Sequence, residues 1–273
     1  MKRYAIFILS NGRAEEMSTY DILRKSGYTG EIKIIVDNLD EQVEKYKKRY
    51  GDDVYVFDKR KAAQNVDCMI NGEELRSVVY ARNYAEKIAE ELNFDYYAEF
   101  DDDVTDFSYK WIENGKLKTK KIENMDKAVK AIIDFMEDSK CDSLGICHTG
   151  ILFGGANGPF SEGIGRNFNQ TVFMRTGSNI FFKGLTNQDV NALFLNSRIG
   201  KLMLELYCIC HTSPERGTNK GGLKNLYDDI GKYTRCFTTV MCCPDICQLD
   251  DRNEILVKRK NAFPKIISGR YKK

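Results

Sequence analysis

The sequence predicts an α/β fold, and three observations carry that reading. Residues 1–100 alternate short runs rich in β-branched and aromatic residues with polar stretches of helical period. Strand–helix–strand alternation at this pitch builds a mostly parallel sheet with helices on its faces. Beyond that point the pattern changes to isolated strands and an Asn-Gly hairpin signal, so the expected sheet is a Rossmann-type mixed one flanked by helices. The chain has 273 residues, 42% of them apolar, enough for one large domain with a substantial core.

The elements follow in order. Residues 4–9 (YAIFIL), 31–36 (EIKIIV), 54–57 (VYVF) and 96–100 (YYAEF) read as strands. Helices are expected over 17–25, 40–50 and 78–92, the last with Val78, Ala81, Ala85, Ile88, Ala89 and Leu92 on one stripe. Residues 107–122 enclose Glu113-Asn114-Gly115 between two alternating runs, a hairpin. A helix is expected over 126–136, strands over 143–147, 171–175, 179–182 and 202–210, and a helix over 187–198 closed by Gly200. Six glycines within 150–165 point to a mobile loop without regular structure. A last helix is expected near 222–232, and the chain ends in a basic tail. No repeat or linker divides it, so residues 1–273 are expected to form one domain, with a nucleotide-binding half (1–106) and an acceptor-side half (107–273).

Composition excludes several classes. With 42 basic and 40 acidic residues the net charge is +2, unlike a globally basic nucleic-acid binder. No apolar run approaches the roughly 18 residues of a membrane span, and residues 4–9 are too short for a secretory leader. Nine cysteines without framework spacing suggest free thiols in a reducing cytoplasm. Cys208, Cys210 and His211, with Cys242, Cys243 and Cys247, lack paired C-x-x-C spacing, so zinc is not expected.

In an open parallel sheet, ligands bind beyond the carboxyl ends of the strands. Four strands here end in polar residues: Ser10-Asn11-Gly12-Arg13, Asp37-Asn38, Asp58 and Asp101-Asp102-Asp103. Three successive carboxylates repel one another unless a cation screens them, and a hard divalent ion takes one or two carboxylates plus phosphate oxygens. Arg82 and Asn83, near the start of a helix, suit an anion. Neither GxGxxG nor GxxxxGK[ST] occurs, which argues against dinucleotide-binding and P-loop enzymes.

IFILSNGRAEEMST, the VDN at 36–38, VVYARNYAEKIA and YYAEFDDDVTDF occur in this order, and together they resemble the TET-associated glycosyltransferases. The resemblance covers residues 4–195 and continues weakly through Gly221-Gly222 and Met241. It implies a GT-A-like fold and a metal-dependent transfer from a nucleotide-sugar, a UDP-sugar, to a hydroxymethylated pyrimidine in DNA, with phage-encoded members acting in the host cytoplasm. Ser10 and Arg13 would lie near the nucleotide, Asp37 at the uridine, and Arg82 and Asn83 at the sugar-nucleotide. Asp101 would meet the ribose or sugar and Asp103 an Mn²⁺ or Mg²⁺ ion, with Asp102 completing the donor side. His211 would be a further metal ligand and Asp189 the catalytic carboxylate, although Thr186-x-x-Asp189 also reads as a capping box. Gln188 stands where such enzymes carry a second acid. His148 is a weaker candidate.

For a DNA acceptor, Lys116, Lys118, Lys120 and Lys121 offer phosphate contacts, and Phe107, Tyr109 and Trp111 offer stacking surfaces. Lys258-Arg259-Lys260 and Arg270-Tyr271-Lys272-Lys273 add late basic charge. Two alternatives stand beside the glycosyltransferase. One is a haloacid-dehalogenase-type phosphatase using Asp101-Asp102-Asp103-Val104-Thr105, and the other a non-catalytic nucleotide-binding module. A sugar nucleotidyltransferase is disfavoured because its glycine-rich basic N-terminal signature is absent.

Overall fold

Strands β1 (Tyr4–Leu9), β2 (Glu31–Asp37), β3 (Val54–Phe57) and β4 (Tyr96–Asp101) run parallel, in the order β3-β2-β1-β4. The computed structural model describes residues 2–70, 73–162, 164–165, 171–214, 224–250 and 256–259. Gly221-Gly222, Lys260 and the basic tail at 270–273 lie outside the described residues. The sheet continues through β9 (Thr171–Arg175), β7 (Ser143–His148), β10 (Met203–Thr212), β5 (Asp106–Glu113) and β6 (Lys116–Lys121). β9 is antiparallel to both β4 and β7, β10 is parallel to β7, and β5–β6 is the expected hairpin. β8 (Ile164–Gly165) pairs with β10, and β11 (Cys247–Asp250) with β12 (Leu256–Arg259) forms a separate ribbon. The mixed α/β sheet flanked by helices is therefore as expected.

Alternation along each strand sends side chains to two cores. Ile6, Ile8, Tyr96 and Phe100 face α1 (Ser18–Lys25), α2 (Val43–Tyr50) and α5 (Met125–Ser139). Phe7, Leu9, Tyr97 and Met174 face α4 (Val79–Glu91), α6 (Gln188–Arg198) and α7 (Lys224–Cys242), the last broken at Gly231. Helix α3 (Lys59–Ala63) was not expected; Asp58 caps it, accepting from the Lys61 amide at 3.0 Å. Helix α2 begins three residues later than the pattern suggests, because Asp40 and Gln42 are engaged with the 10–14 loop.

Three expectations need correction. Residues 179–182 form no strand: Asn83 and Asn196 hydrogen-bond the backbone N–H and C=O of Phe182 and Phe181, taking the place of a neighbouring strand. The glycine-rich segment does hold regular structure, as three short 3₁₀ turns (Thr149–Ile151, Gly155–Asn157, Pro159–Glu162) and β8. Phe107 has no exposed surface and packs on Phe100, so it is no stacking surface for a base. Among the described residues no helix is long and apolar enough to cross a membrane, and the cysteines form no disulfide.

Candidate active site at the carboxyl edge of the sheet

The carboxyl ends of β1, β2 and β4 bring the sequence-expected polar groups to one edge. Along β4, Tyr96, Ala98 and Phe100 face one core, while Glu99 and Asp101 face α4. There Arg82, itself buried, bridges them, with Nη1 3.0 Å from Glu99 and Nη2 2.9 Å from Asp101. Burial pushes Glu99 up to about 8 and Asp101 up to about 7, Arg82 opposing and the neighbouring acids reinforcing the shift. One guanidinium is shared by two carboxylates.

Asp102 points to the other face. It accepts from Ser10 Oγ at 2.6 Å and from Arg13 Nη1 at 2.6 Å. The Arg13 guanidinium also lies 3.7 Å from Asp103. Since Ser10 gives its proton to Asp102, the Tyr46 hydroxyl donates to Ser10 at 2.7 Å and accepts from the Arg13 amide at 2.8 Å. Thr19 pins the acidic turn, donating to the Asp101 carbonyl and accepting from the Val104 amide. Next to this group, Asp37 is held by Lys59 at 2.8 Å and Asn11 at 3.0 Å.

Asn83 lies on α4 one residue from Arg82, but its amide is engaged with the backbone of Phe182 and Val79. Asp189 lies in the first turn of α6, near enough to Arg82 and Asp101 for its charge to act on both. The capping box is not formed: Asn187 is the cap residue, and no side chain caps the helix. Its carboxylate is therefore not consumed by that structural role.

His211 has no exposed surface. Thr171 Oγ1 donates to the Ile146 carbonyl at 3.1 Å, so toward His211 Nδ1, 2.6 Å away, it accepts. That places the ring proton on Nδ1 and leaves a bare lone pair on Nε2, which is buried without a hydrogen-bond partner among the described residues. Burial, with the His148 ring 5.2 Å away, lowers His211 to about 3, so it is neutral.

A hard divalent cation fits this donor set. Arg13 and Arg82 face the acidic groups of Asp101, Asp102 and Asp103, with Glu99 buried behind Arg82, and Asp101 and Asp103 keep 27% and 25% of their side chains exposed. Among the described residues no three His, Cys, Asp or Glu side chains alone form a metal cluster. Magnesium-type ions are commonly completed by substrate phosphates and water. His211, grouped with His148 and Thr171, is not gathered with two of these acids.

The family model of the TET-associated glycosyltransferases matches residues 4–218. The chain belongs to that family. Among solved structures, this TET-associated glycosyltransferase aligns with a mycobacterial protein (TM-score 0.51, 7% identity, 95% of this chain and 84% of that one). It also aligns with the mannosyltransferase PcManGT from Pyrobaculum calidifontis in complex with GDP-Man and Mn²⁺ (0.50, 10% identity, 79% and 58%). S. aureus TarS in complex with UDP-GlcNAc aligns at 0.46 with 15% identity, over 84% of this chain and 64% of that one. The chain thus spans less than two-thirds of the length of TarS and PcManGT. The fold is that of GT-A glycosyltransferases. No curated protein sequence matches it.

Tyr46, Lys59 and Glu99 belong to this edge and were not singled out from sequence. Glu99 alone left a signal, an acid inside the apolar run YYAEF. The phosphatase reading is set aside by the family match.

Proposed function

We propose that this glycosyltransferase moves a sugar from a UDP-sugar onto the hydroxymethyl group of a modified pyrimidine in DNA. The observation that carries the reading is the excess of carboxylates over guanidinium groups at one sheet edge, in a chain of this family. Asp103 would hold Mn²⁺ or Mg²⁺, with substrate phosphates and water rather than His211 completing its coordination. When bound, the ion supplies charge neutralisation for the departing diphosphate. PcManGT carries GDP-Man and Mn²⁺ on the same fold.

The chain's own residues do the rest. Asp37, steadied by Lys59 and Asn11, receives the nucleoside hydroxyls or base edge. Ser10 and Arg13 fix Asp102 and orient the acidic turn beneath the donor. Arg82 holds Asp101 toward the ribose or sugar, and Asn83 fixes the Phe182 backbone beside it. Asp189 accepts the proton of the acceptor hydroxyl, or steadies positive charge on the sugar. Nucleotide-sugars and DNA meet in the cytoplasm of a host cell, which is where the proposal places the enzyme.

The test offers UDP-glucose, UDP-GlcNAc and UDP-galactose with hydroxymethylcytosine DNA, hydroxymethyluracil DNA and unmodified DNA, with mass spectrometry of the digested nucleosides. A hexose adduct confined to a hydroxymethylated base is expected, and Asp103→Ala should abolish it while circular dichroism stays native. No adduct with any donor, alongside transfer to a protein or free sugar, would replace the acceptor and keep the reaction class. UDP affinity unchanged by chelator would defeat the metal role. Binding of UDP-sugar without transfer or hydrolysis under any condition would leave a non-catalytic module.

A further inference from the structure

One ribbon of this molecule carries a local excess of positive charge. Residues 106–121, the hairpin β5–β6, carry five lysines against two acids, on a chain whose net charge is +2. The register sets Tyr109 opposite Lys120, Trp111 opposite Lys118 and Glu113 opposite Lys116. Directly opposed residues share a face of a sheet, as do alternate residues of one strand. Tyr109, Trp111, Lys116, Lys118 and Lys120 therefore stand on one side. On the reverse side Leu117 packs against the small core of Cys147, Leu152, Tyr207 and Cys210, and on the near side Phe107 and Tyr109 pack on the main core, so the ribbon is anchored at its base and exposes Trp111, Lys116, Lys118 and Lys120 beyond it.

Lysines on an outermost strand commonly guard a sheet against edge-to-edge pairing, and β6 is outermost here. Trp111 argues for more than a guard. It is 39% exposed, and an indole adds apolar surface where the lysines would keep partners away. Lys118 lies 3.9 Å from Glu113 and Lys121 3.2 Å from Asp106, whereas Lys116 and Lys120 form no ion pair among the described residues. Cationic groups interleaved with an exposed aromatic face match a ligand that is both anionic and built of flat rings.

We infer that this face of the hairpin docks a single DNA strand, lysines on its phosphates and Trp111 stacked on a base. The inference rests on the DNA-acceptor reading and deepens it. Position supports it: β5 begins at Asp106, three residues beyond Asp103, and the ribbon leads away from the acidic edge. Lysines at alternate positions of a strand are about 6.8 Å apart. That is twice the roughly 3.4 Å spacing of charges along one nucleic-acid strand in a duplex. A strand laid along β6 can offer a phosphate to each of Lys120, Lys118 and Lys116 while a neighbouring nucleotide reaches the acidic edge.

Trp111 is the chain's one tryptophan, so its fluorescence reports this face directly. Titrating the protein of residues 1–273 with a short oligothymidylate should quench the emission, while polyglutamate should not. In anisotropy assays with dye-labelled oligothymidylate, Trp111→Ala should weaken binding roughly tenfold and Trp111→Phe should restore most of it. The triple change Lys116→Ala, Lys118→Ala, Lys120→Ala should lower the slope of log affinity against log salt by about 2, with a native melting curve. No quenching, equal quenching by polyglutamate, or an unchanged salt slope would overturn the inference. Hexose transfer to hydroxymethylated DNA that the triple variant leaves undiminished would also overturn it, and would leave the DNA-acceptor reading standing. Quenching with the expected salt slope, but without hexose on any DNA, would uphold the ribbon and defeat that reading.

Discussion

Glu99 has no exposed surface and one charged partner, Arg82, which it shares with Asp101. Burial and the neighbouring carboxylate hold its folded value at about 8, against about 4.3 for an unfolded glutamate. The folded protein therefore binds this proton more tightly than the unfolded chain does. The resulting stabilisation is complete below about pH 4 and is lost as pH rises through about 8. Glu99→Gln, neutral at every pH, should remove that contribution. In urea melts without ligand, wild type should lose stability relative to the variant from pH 5 to pH 8, by at most about 1.4 kcal/mol per pH unit. A constant difference across that range would show that Glu99 is ionised in the folded state and fully matched by Arg82. The acid run at 101–103 was legible because it follows an apolar strand. Tyr46 and Lys59 were not, because each reaches the edge from a different element and gains meaning only when β1, β2 and β4 lie side by side.

Among the elements, strands β1 to β4 were readable because they are short, apolar runs, as strands of a sheet covered on both faces require, and β1 and β4 are buried along nearly their whole length. Residues 179–182 have the same composition without the pairing. Their backbone groups are met by side chains from α4 and α6, a long-range substitution that composition does not encode. The glycine-rich segment shows the converse. Its glycines suggested a loop without structure, yet Gly154 turns the chain at φ +86° and a Cβ at Gly158 would stand on the Phe153 carbonyl oxygen. These glycines specify a tight turn as well as permitting movement. Gly158→Ala should open the 153–158 turn while the two main cores stay intact. Limited proteolysis should then cut within 149–162 several-fold faster than in wild type, with the global melting temperature nearly unchanged. Equal cleavage rates would mean that the turn does not depend on that close approach. Added UDP-sugar and Mn²⁺ should slow the cut in wild type if the segment covers the donor.

At the scale of the whole molecule, one sheet, of ten strands among the described residues, crosses both expected halves, since β4 of the first is hydrogen-bonded to β9 of the second. The residues assigned to the nucleotide, Ser10, Arg13, Asp37 and Asp101, lie in the first half, while Trp111 stands in the second, on β5 next to the outermost strand. If residues 1–273 unfold as one cooperative unit, stabilisation gained at the nucleotide edge must reach Trp111 in full. Donor and metal at about 100 times their dissociation constant add about 2.7 kcal/mol. A chain of this size gains about 2–4 °C per kcal/mol, so a shift of about 5–10 °C is expected. Far-ultraviolet circular dichroism follows all helices, while tryptophan emission follows the ribbon alone. The two melting curves should coincide without ligand and move together when UDP and Mn²⁺ are added. A tryptophan transition that stays in place while the helical signal shifts would show that the ribbon and its neighbours unfold separately. The nucleotide-binding half would then be the independent unit. The Asp103→Ala protein gives the control, because its curves should coincide as in wild type and neither should respond to Mn²⁺ with UDP.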